Sequence, residues 1–408
     1  MADNTLNRRD FLKAGAAGAA AAGVFTIVPS RAFGANDRIC VGLIGVGSRG
    51  SGHLAEVVNS GVEVEIIAVC ETWNQRRDAA MERVNAIYDN DCQGFSDYRK
   101  MLEMKDLDAV TIGTPDFQHT RQLIDSVKAG KHVFCEKPMG NDIREANEAL
   151  DVAKNSNSII QIGTQRRSDG RWRGLAQMIQ SGVLGKISRI DIAWNDRNPR
   201  WKKGAMDITE ADVDWNMYLF NKRKRPFDAR QYREWHLYRE FTNGTLSLLG
   251  VHFLDAVSWI MQDPYPSTAV GSGGIYVWED GREHEDTVTF VFEYPSGFTC
   301  RYTSSFGNEV GTGLKIYGTG GMFNEDTWKI TGDGGVPGKA VTEVMEIPTL
   351  EHESHMANWL KAVRDGTTPS APIETGHWHT VASALGYQAL REGRKLKYLP
   401  DQRRVVRA

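Results

Sequence analysis

Gly45-Val46-Gly47-Ser48-Arg49-Gly50 follows directly on the apolar run Ile39–Ile44 and leads into a stretch of helical spacing at 51–60. A glycine pattern of this kind is weak alone and gains meaning between a strand and a helix. In that setting Gly45 permits a tight turn, Gly47 lets backbone approach a diphosphate, and Gly50 allows close helix packing. The helix start at Ser48 and Arg49 then faces the anion with its N–H groups. The same rhythm runs on to residue 163. Short β-rich runs recur at Val64–Cys70, 109–113, His132–Cys135 and 159–162, with helical stretches such as 117–129 between them. Such alternation predicts a parallel sheet covered on both faces, with ligands at the carboxyl ends of its strands.

Three of those ends carry polar motifs. The second run closes on Cys70-Glu71, where a carboxylate grips the ribose 2′-hydroxyl of NAD and repels the extra phosphate of NADP. Arg76 and Arg77 lie close by and keep NADP as the lesser alternative. Thr114-Pro115-Asp116-Phe117-Gln118-His119 and Glu136-Lys137-Pro138 follow two later runs. A lysine at a strand end in the ligand crevice is a candidate general acid/base or oxyanion partner, and His119 shapes the cofactor turn.

The first 35 residues stand apart. Asn7-Arg8-Arg9-Asp10-Phe11-Leu12-Lys13 precedes a mildly apolar Ala/Gly run to Val28, then Pro29 and small residues around Ala32 and Ala35. This layout resembles a twin-arginine (Tat) export signal, cleaved and lipid-free because no cysteine follows the apolar run. The expectation is an exported, periplasmic protein with the Tat machinery as a partner. No stretch reaches the roughly 18 apolar residues of a membrane span, so no membrane anchor is expected in the mature form. The 408 residues suit two domains, at 36–160 and 161–408. A net charge of −3 provides no basic field, and nucleic acid is not an expected partner. The five cysteines form no CxxC pair and read as buried thiols.

Beyond residue 161 the pattern changes to alternating runs at 187–194, Thr287–Tyr294, 299–304 and 313–317, the mark of a mostly antiparallel sheet. Helical spacing returns at 352–365 and 380–390. Trp194, Trp201, Trp215, Trp235 and Trp259 crowd into one segment with Tyr218, Tyr232 and Tyr238, near Asp214, Arg230, Arg233 and His236. Aromatic faces stack on the C–H faces of sugars, and the same rings serve equally as core packing. His252 shares a helix face with Asp255. His352, His355, His377 and His379 match no metal spacing, and no metal is expected.

These motifs together resemble the glucose–fructose oxidoreductase/inositol dehydrogenase (Gfo/Idh/MocA) family. The likeness rests on the Gly45 loop, residues 114–120, Cys135-Glu136-Lys137-Pro138, Gly163-Thr164-Gln165-Arg166-Arg167 and Gly250-Val251-His252-Phe253-Leu254-Asp255. It implies an α/β chain: an N-terminal Rossmann dinucleotide-binding domain, then an α+β domain with a mostly antiparallel sheet, whose last helices pack back toward the first. It also implies a homo-oligomer. Lys137 then touches nicotinamide ribose and the reacting hydroxyl, with His252 as its catalytic partner. Gly45, Gly47, Ser48, Arg49, Gly50, Glu71, Thr114, Pro115, His119, Glu136, Lys137 and Gln165 are the expected cofactor residues. Arg166, Tyr232, Trp235, His236 and Asp255 are the expected substrate residues.

One position departs from the family. Its dehydrogenases carry an Asp four residues before the histidine, and here that residue is Leu248. The reading is an NAD-dependent oxidoreductase of a sugar or polyol hydroxyl with tightly retained NAD. The alternatives are a redox-neutral hydrolase, lyase or epimerase working through a transient keto-sugar, and a non-catalytic sugar- or NAD-binding protein. Replacing Arg8 and Arg9 by Lys should hold the protein in the cytoplasm. Periplasmic and cytoplasmic fractions measure this, and an unchanged periplasmic share would refute the Tat signal.

Overall fold

The strands buried on both faces build the first layer. In a computed structural model describing residues 38–203 and 207–408, β1 (Ile39–Ile44), β2 (Val64–Cys70), β3 (Gln93–Phe95), β4 (Ala109–Ile112), β5 (His132–Cys135) and β6 (Ile160–Ile162) form one parallel sheet. The export signal read at 1–35 lies outside the described residues. Every residue of β1, β4 and β5 is buried, which is why these runs are apolar without alternation. Strand order is β3-β2-β1-β4-β5-β6. The order reverses between β1 and β4, and the crevice above that reversal is where such sheets bind ligands. The four motif-bearing strands, β2, β1, β4 and β5, are therefore consecutive in the sheet. Edge strand β3 escaped the sequence reading because it is three residues long, with Gln93 and Gly94 exposed.

One apolar cluster covers each face of this sheet. On one of them helix His355–Asp365, from far along the chain, contributes Met356, Trp359, Leu360 and Val363 beside Leu54 and Val57 of helix Ser48–Val58. A C-terminal helix thus completes the N-terminal layer.

The second sheet has ten strands: β7 (Ile187–Asn195), β8 (Thr268–Gly274), β9 (Thr287–Tyr294), β10 (Phe298–Ser305), β11 (Gly313–Gly318), β12 (Gly321–Asn324), β13 (Lys329–Thr331), β14 (Met345–Glu346), β15 (Leu396–Leu399) and β16 (Arg404–Arg407). Only β7 and β10 pair in parallel; their other neighbours run antiparallel. Val288, Phe290, Phe292 and Tyr294 of β9 and Phe298, Cys300 and Tyr302 of β10 alternate into one core. Helices Gly170–Gln180, Val251–Met261 and Ile373–Glu392 close that face. Strand β8 was hidden because its sequence is TAVGSGG. A Cβ on Gly271 would lie 2.6 Å from Phe290, and one on Gly273 2.4 Å from the Thr287 carbonyl. The strand needs glycine for close approach, and glycine erases its alternation.

The segment between β7 and helix Val251–Met261 folds back over the first sheet. Asp214 N–H donates to the Thr72 carbonyl (2.8 Å), and Gln118 Nε2 donates to the Tyr218 carbonyl (2.6 Å). Trp215, Tyr218, Tyr232 and Phe241 pack with Trp73 and Phe117 of the first layer. Much of the tryptophan-rich segment is thus the joint between the two layers.

Helix Val251–Met261 is fixed by a buried ion pair. Arg167 Nε donates to both Asp255 oxygens at 3.1 and 2.9 Å, with side-chain exposures of 6% and 1%. Asp255, read in the sequence as a substrate residue, gives both carboxylate oxygens to Arg167. Despite burial, Arg167 and His379 hold its carboxyl below the ordinary value. The contribution of the pair is therefore in place above about pH 4 and is lost as acid protonates Asp255. Asp255→Ala would strand the Arg167 charge, and denaturant titration should show a loss of about 3–5 kcal/mol; a loss below about 1 kcal/mol would remove the pair from this role.

Candidate functional site

The glycine loop sets the floor of the cleft. Gly45 has φ +80°, and a Cβ on Gly50 would lie 1.8 Å from the Gly45 carbonyl oxygen. Only glycine lets the helix start this close to the strand end. Helix Ser48–Val58 begins with Gly47 as its cap residue, and no side chain accepts from its first turn. Its leading N–H groups are left for an anion. A cavity of about 370 Å³ opens there, lined by Gly45, Gly47, Ser48, Arg49, Glu71 and Thr114 among others. Tyr232, Arg233, Trp235 and His236 close it from the opposite side. Glu71 turns back to the loop, accepting from the Val46 and Trp73 N–H groups at 3.1 Å each. An uncapped helix start, a glycine cradle and a carboxylate at the end of β2 fit a dinucleotide.

At the end of β5 the Glu136 carboxylate is a hub. It accepts from Arg49 Nε (2.6 Å), the Lys137 N–H (3.1 Å) and Gln165 Nε2 (3.2 Å), with His53 Nε2 also at 3.2 Å. Burial alone would raise its pKa, but His53, Arg49 and Lys137 outweigh burial and hold it well below the carboxylate range. Arg49 is in turn held on Glu56 by two bonds, at 2.5 and 3.1 Å. Glu136 is 4% exposed. Read in the sequence as a cofactor contact, it is the group that fixes Arg49, Lys137 and Gln165.

Lys137 points across the cleft. Its Nζ donates to the Leu248 carbonyl at 2.8 Å. Residues Leu246–Gly250 form a π-helical turn ahead of the α-helix that carries His252. Such wide turns recur at functional sites because they shift the hydrogen-bond ladder by one residue. Position 248 thus meets Lys137 through its backbone, while its side chain joins an apolar cluster with Leu249 and Phe306. Lys137, His252, His236, Trp235 and Gln165 line a cavity of about 440 Å³. It shares Arg49, Gly113, Thr114, Trp235 and His236 with the glycine-loop cavity. Burial lowers the Lys137 pKa against the pull of Glu136 and Asp116. Burial also depresses His252 well below its ordinary value, with Lys137 and Arg166 adding to the effect. His236 is stacked between Trp235 (3.7 Å between ring centres) and Trp201 (5.5 Å, parallel within 2°).

Other expected residues fall elsewhere. His119 bridges the Thr114 and Pro138 carbonyls at 2.8 Å each and holds the turn. The Arg166 guanidinium packs over Phe253 (3.8 Å) and Trp172 (4.3 Å), so the structure turns it into that aromatic packing rather than into either cavity. Tyr232 is 6% exposed at the cavity wall. Asp116 was overlooked, although it lies inside the TPDFQHT stretch. It lines the Lys137 cavity and accepts from Thr242 Oγ1 at 2.8 Å. The signal was an acidic side chain directly after the Thr-Pro turn.

Comparisons with known proteins agree with this geometry. Residues 39–164 match the model of an oxidoreductase family with NAD-binding Rossmann fold, and residues 172–324 match the GFO/IDH/MocA C-terminal domain. Residues 5–25 match the twin-arginine translocation signal sequence, the mark of Tat-dependent export. Among the described residues, no helix is long and apolar enough to cross a membrane. Inositol 2-dehydrogenase of Salmonella typhimurium is 31% identical over 146 residues, covering 36% of this chain and 42% of that protein. A glycosyl hydrolase family 109 protein of Shewanella baltica is 28% identical over 249 residues, 54% of this chain and 52% of that one. The chain thus spans about half or less of the curated relatives it matches. The structure of levoglucosan dehydrogenase in complex with NADH and levoglucosan superposes with a TM-score of 0.67 at 15% identity, covering 88% of this chain and 99% of that one. At that identity the likeness is one of fold.

Calorimetry should find NAD bound more tightly than NADP, because Glu71 opposes a 2′-phosphate. Glu71→Ala should narrow that preference by about tenfold, the size of one charged hydrogen bond. Tighter binding of NADP by the parent protein would overturn the assignment.

Proposed function

This chain belongs to the Gfo/Idh/MocA oxidoreductase family, and from that premise we propose that it is an NAD-dependent oxidoreductase of a sugar or polyol hydroxyl that keeps its nucleotide bound. The observation that carries this reading is the pairing of Lys137 and His252 in a cavity continuous with the glycine loop. The sugar ligand and NADH named for the structural relative support it.

When bound, NAD supplies hydride transfer at a carbinol carbon. The protein supplies the proton chemistry. Burial lowers the Lys137 pKa and so favours a neutral Nζ. In its neutral form, with one N–H on the Leu248 carbonyl, the amine keeps a lone pair for the proton of a substrate hydroxyl. His252, whose charged form burial likewise disfavours, would donate or accept one hydrogen bond to that oxygen. The Trp201, His236 and Trp235 faces suit the C–H face of a sugar ring. Glu136 holds Arg49 at the helix start, where it would meet the charge of a bound diphosphate.

Export favours a second, redox-neutral form of this reading. Tat transport carries folded proteins, so nucleotide loaded in the cytoplasm travels with the chain. A free NADH released outside would have no pool to return to. The hydride then goes back to the same sugar, giving hydrolysis, elimination or epimerisation, or passes to a second sugar. The match to a glycosyl hydrolase family 109 protein supports this form.

Lys137→Ala should lower turnover on a responsive sugar by roughly a hundred- to ten-thousand-fold with folding intact; a change of only a few-fold would remove Lys137 from the chemistry. The exported protein, purified without added cofactor and then denatured, should release nucleotide in near-equal molar amount. An empty protein that yields stoichiometric NADH from added NAD would restore the ordinary dehydrogenase.

A further inference from the structure

Leu248 leaves Lys137 without a side-chain carboxylate from the helix that carries His252. The cavity wall supplies one from another element. Asp116 opens helix Asp116–Lys128 directly after the Thr114-Pro115 turn and is 2% exposed. Its Oδ2 accepts from Thr242 Oγ1 at 2.8 Å. Its Oδ1 is buried with no hydrogen-bond partner, and so are both polar atoms of the Asn141 side chain, which favours the charged form of the carboxyl. A buried carboxylate oxygen left this way is costly unless it serves a purpose. Asp116 lines the same cavity as Lys137, His252 and His236.

The Thr242 hydroxyl also lies 3.0 Å from Ser247 Oγ, which donates to the Gly244 carbonyl at 3.2 Å. A threonine hydroxyl can donate to a carboxylate, or accept from a carboxylic acid while donating onward. The pocket around Asp116 can therefore hold either protonation state. That chain ends on Ser247, inside the same π-helical turn whose Leu248 carbonyl accepts from Lys137.

We propose that Asp116 is the carboxylate that sets the protonation of Lys137, in the place a side-chain carboxylate at position 248 would otherwise fill. It is a positioning residue, acting on substrate through Lys137. The inference rests on Lys137 being the proton-transfer group of the cleft. Burial pushes the Asp116 carboxyl up to about 7, against the pull of Thr242, Asn141, Lys137 and Lys222. Lys137 is pushed down by its own burial and raised by Glu136 and Asp116, with Arg49 and Arg200 opposing them. His119, His236, His252 and His379 also face the Lys137 charge. Burial pushes all four below their ordinary values and so disfavours their charged forms. Glu136 is held well below the carboxylate range. Of Glu136 and Asp116, the two carboxylates that raise Lys137 most, it is Asp116 whose carboxyl burial pushes toward neutrality. As pH rises through its pKa the new negative charge favours the ammonium form of Lys137; as pH falls that support is withdrawn.

The test reads Lys137 directly. Competitive acetylation of the purified protein with acetic anhydride across pH, followed by peptide mass spectrometry, gives the midpoint of Lys137 reactivity. Neither nucleotide nor sugar is needed. Asp116→Asn keeps the shape and an oxygen for Thr242. It should lower the midpoint by about half a unit or more, as expected for loss of a nearby opposite charge, and Asp116→Glu should restore it. An unchanged midpoint in a folded Asp116→Asn protein overturns the proposal. If that variant does not fold, Thr242→Val serves instead. It withdraws the donor that favours the Asp116 anion and should shift the midpoint in the same direction; no shift there overturns the proposal equally. A shifted midpoint in a protein with no sugar turnover would overturn the oxidoreductase reading alone. Sugar turnover with no shift would overturn this inference alone.

Discussion

The Glu136 carboxylate holds the site together. One buried anion accepts from Arg49 on the glycine-loop helix, from the Lys137 backbone at its own strand end, and from Gln165 on the link to the second layer. Three elements far apart in sequence are thereby held within one carboxylate's reach. Glycine at 163 makes room for it, since a Cβ there would lie 2.8 Å from the Glu136 carboxyl group. A buried charge with several donors is stable only while all of them stay in place. The position of Lys137 is therefore coupled to the glycine-loop helix.

The second layer contributes in two ways. Its helix Val251–Met261 presents His252 and is fixed beneath the cleft by the Arg167–Asp255 pair. The aromatic segment ahead of that helix lies over the first sheet, bonded to Thr72 and Gln118 and packed on Trp73 and Phe117. A nucleotide on the glycine loop would be covered by residues such as Tyr232, Arg233 and Trp235.

The departure at Leu248 looks different once the backbone is seen. The sequence presents the loss of a carboxylate. The structure shows a π-helical turn offering a carbonyl to the lysine, with the leucine side chain packed among aromatic rings. A neutral acceptor at this point does not favour the ammonium form as an aspartate would, so the charge state of Lys137 falls to its other neighbours.

Much of the first layer was legible in the chain, because strands buried on both faces must be continuous apolar runs and a tight turn on a helix start must be glycine. The Glu71, Thr114 and Lys137 positions follow from strand ends alone, and the export signal needs no fold at all. The sequence could not show β3 or β8, whose brevity or glycine content removes the pattern. It could not show that Asp255 is spent on Arg167, that Arg166 packs on rings, or that Glu136 is a hub, since each depends on partners far away along the chain. Nor could it show that Asp116 lines the same cavity as Lys137. A side chain's type and local period are written in its own stretch of sequence; its hydrogen-bond partners, burial and pKa are set by whatever the tertiary fold packs against it.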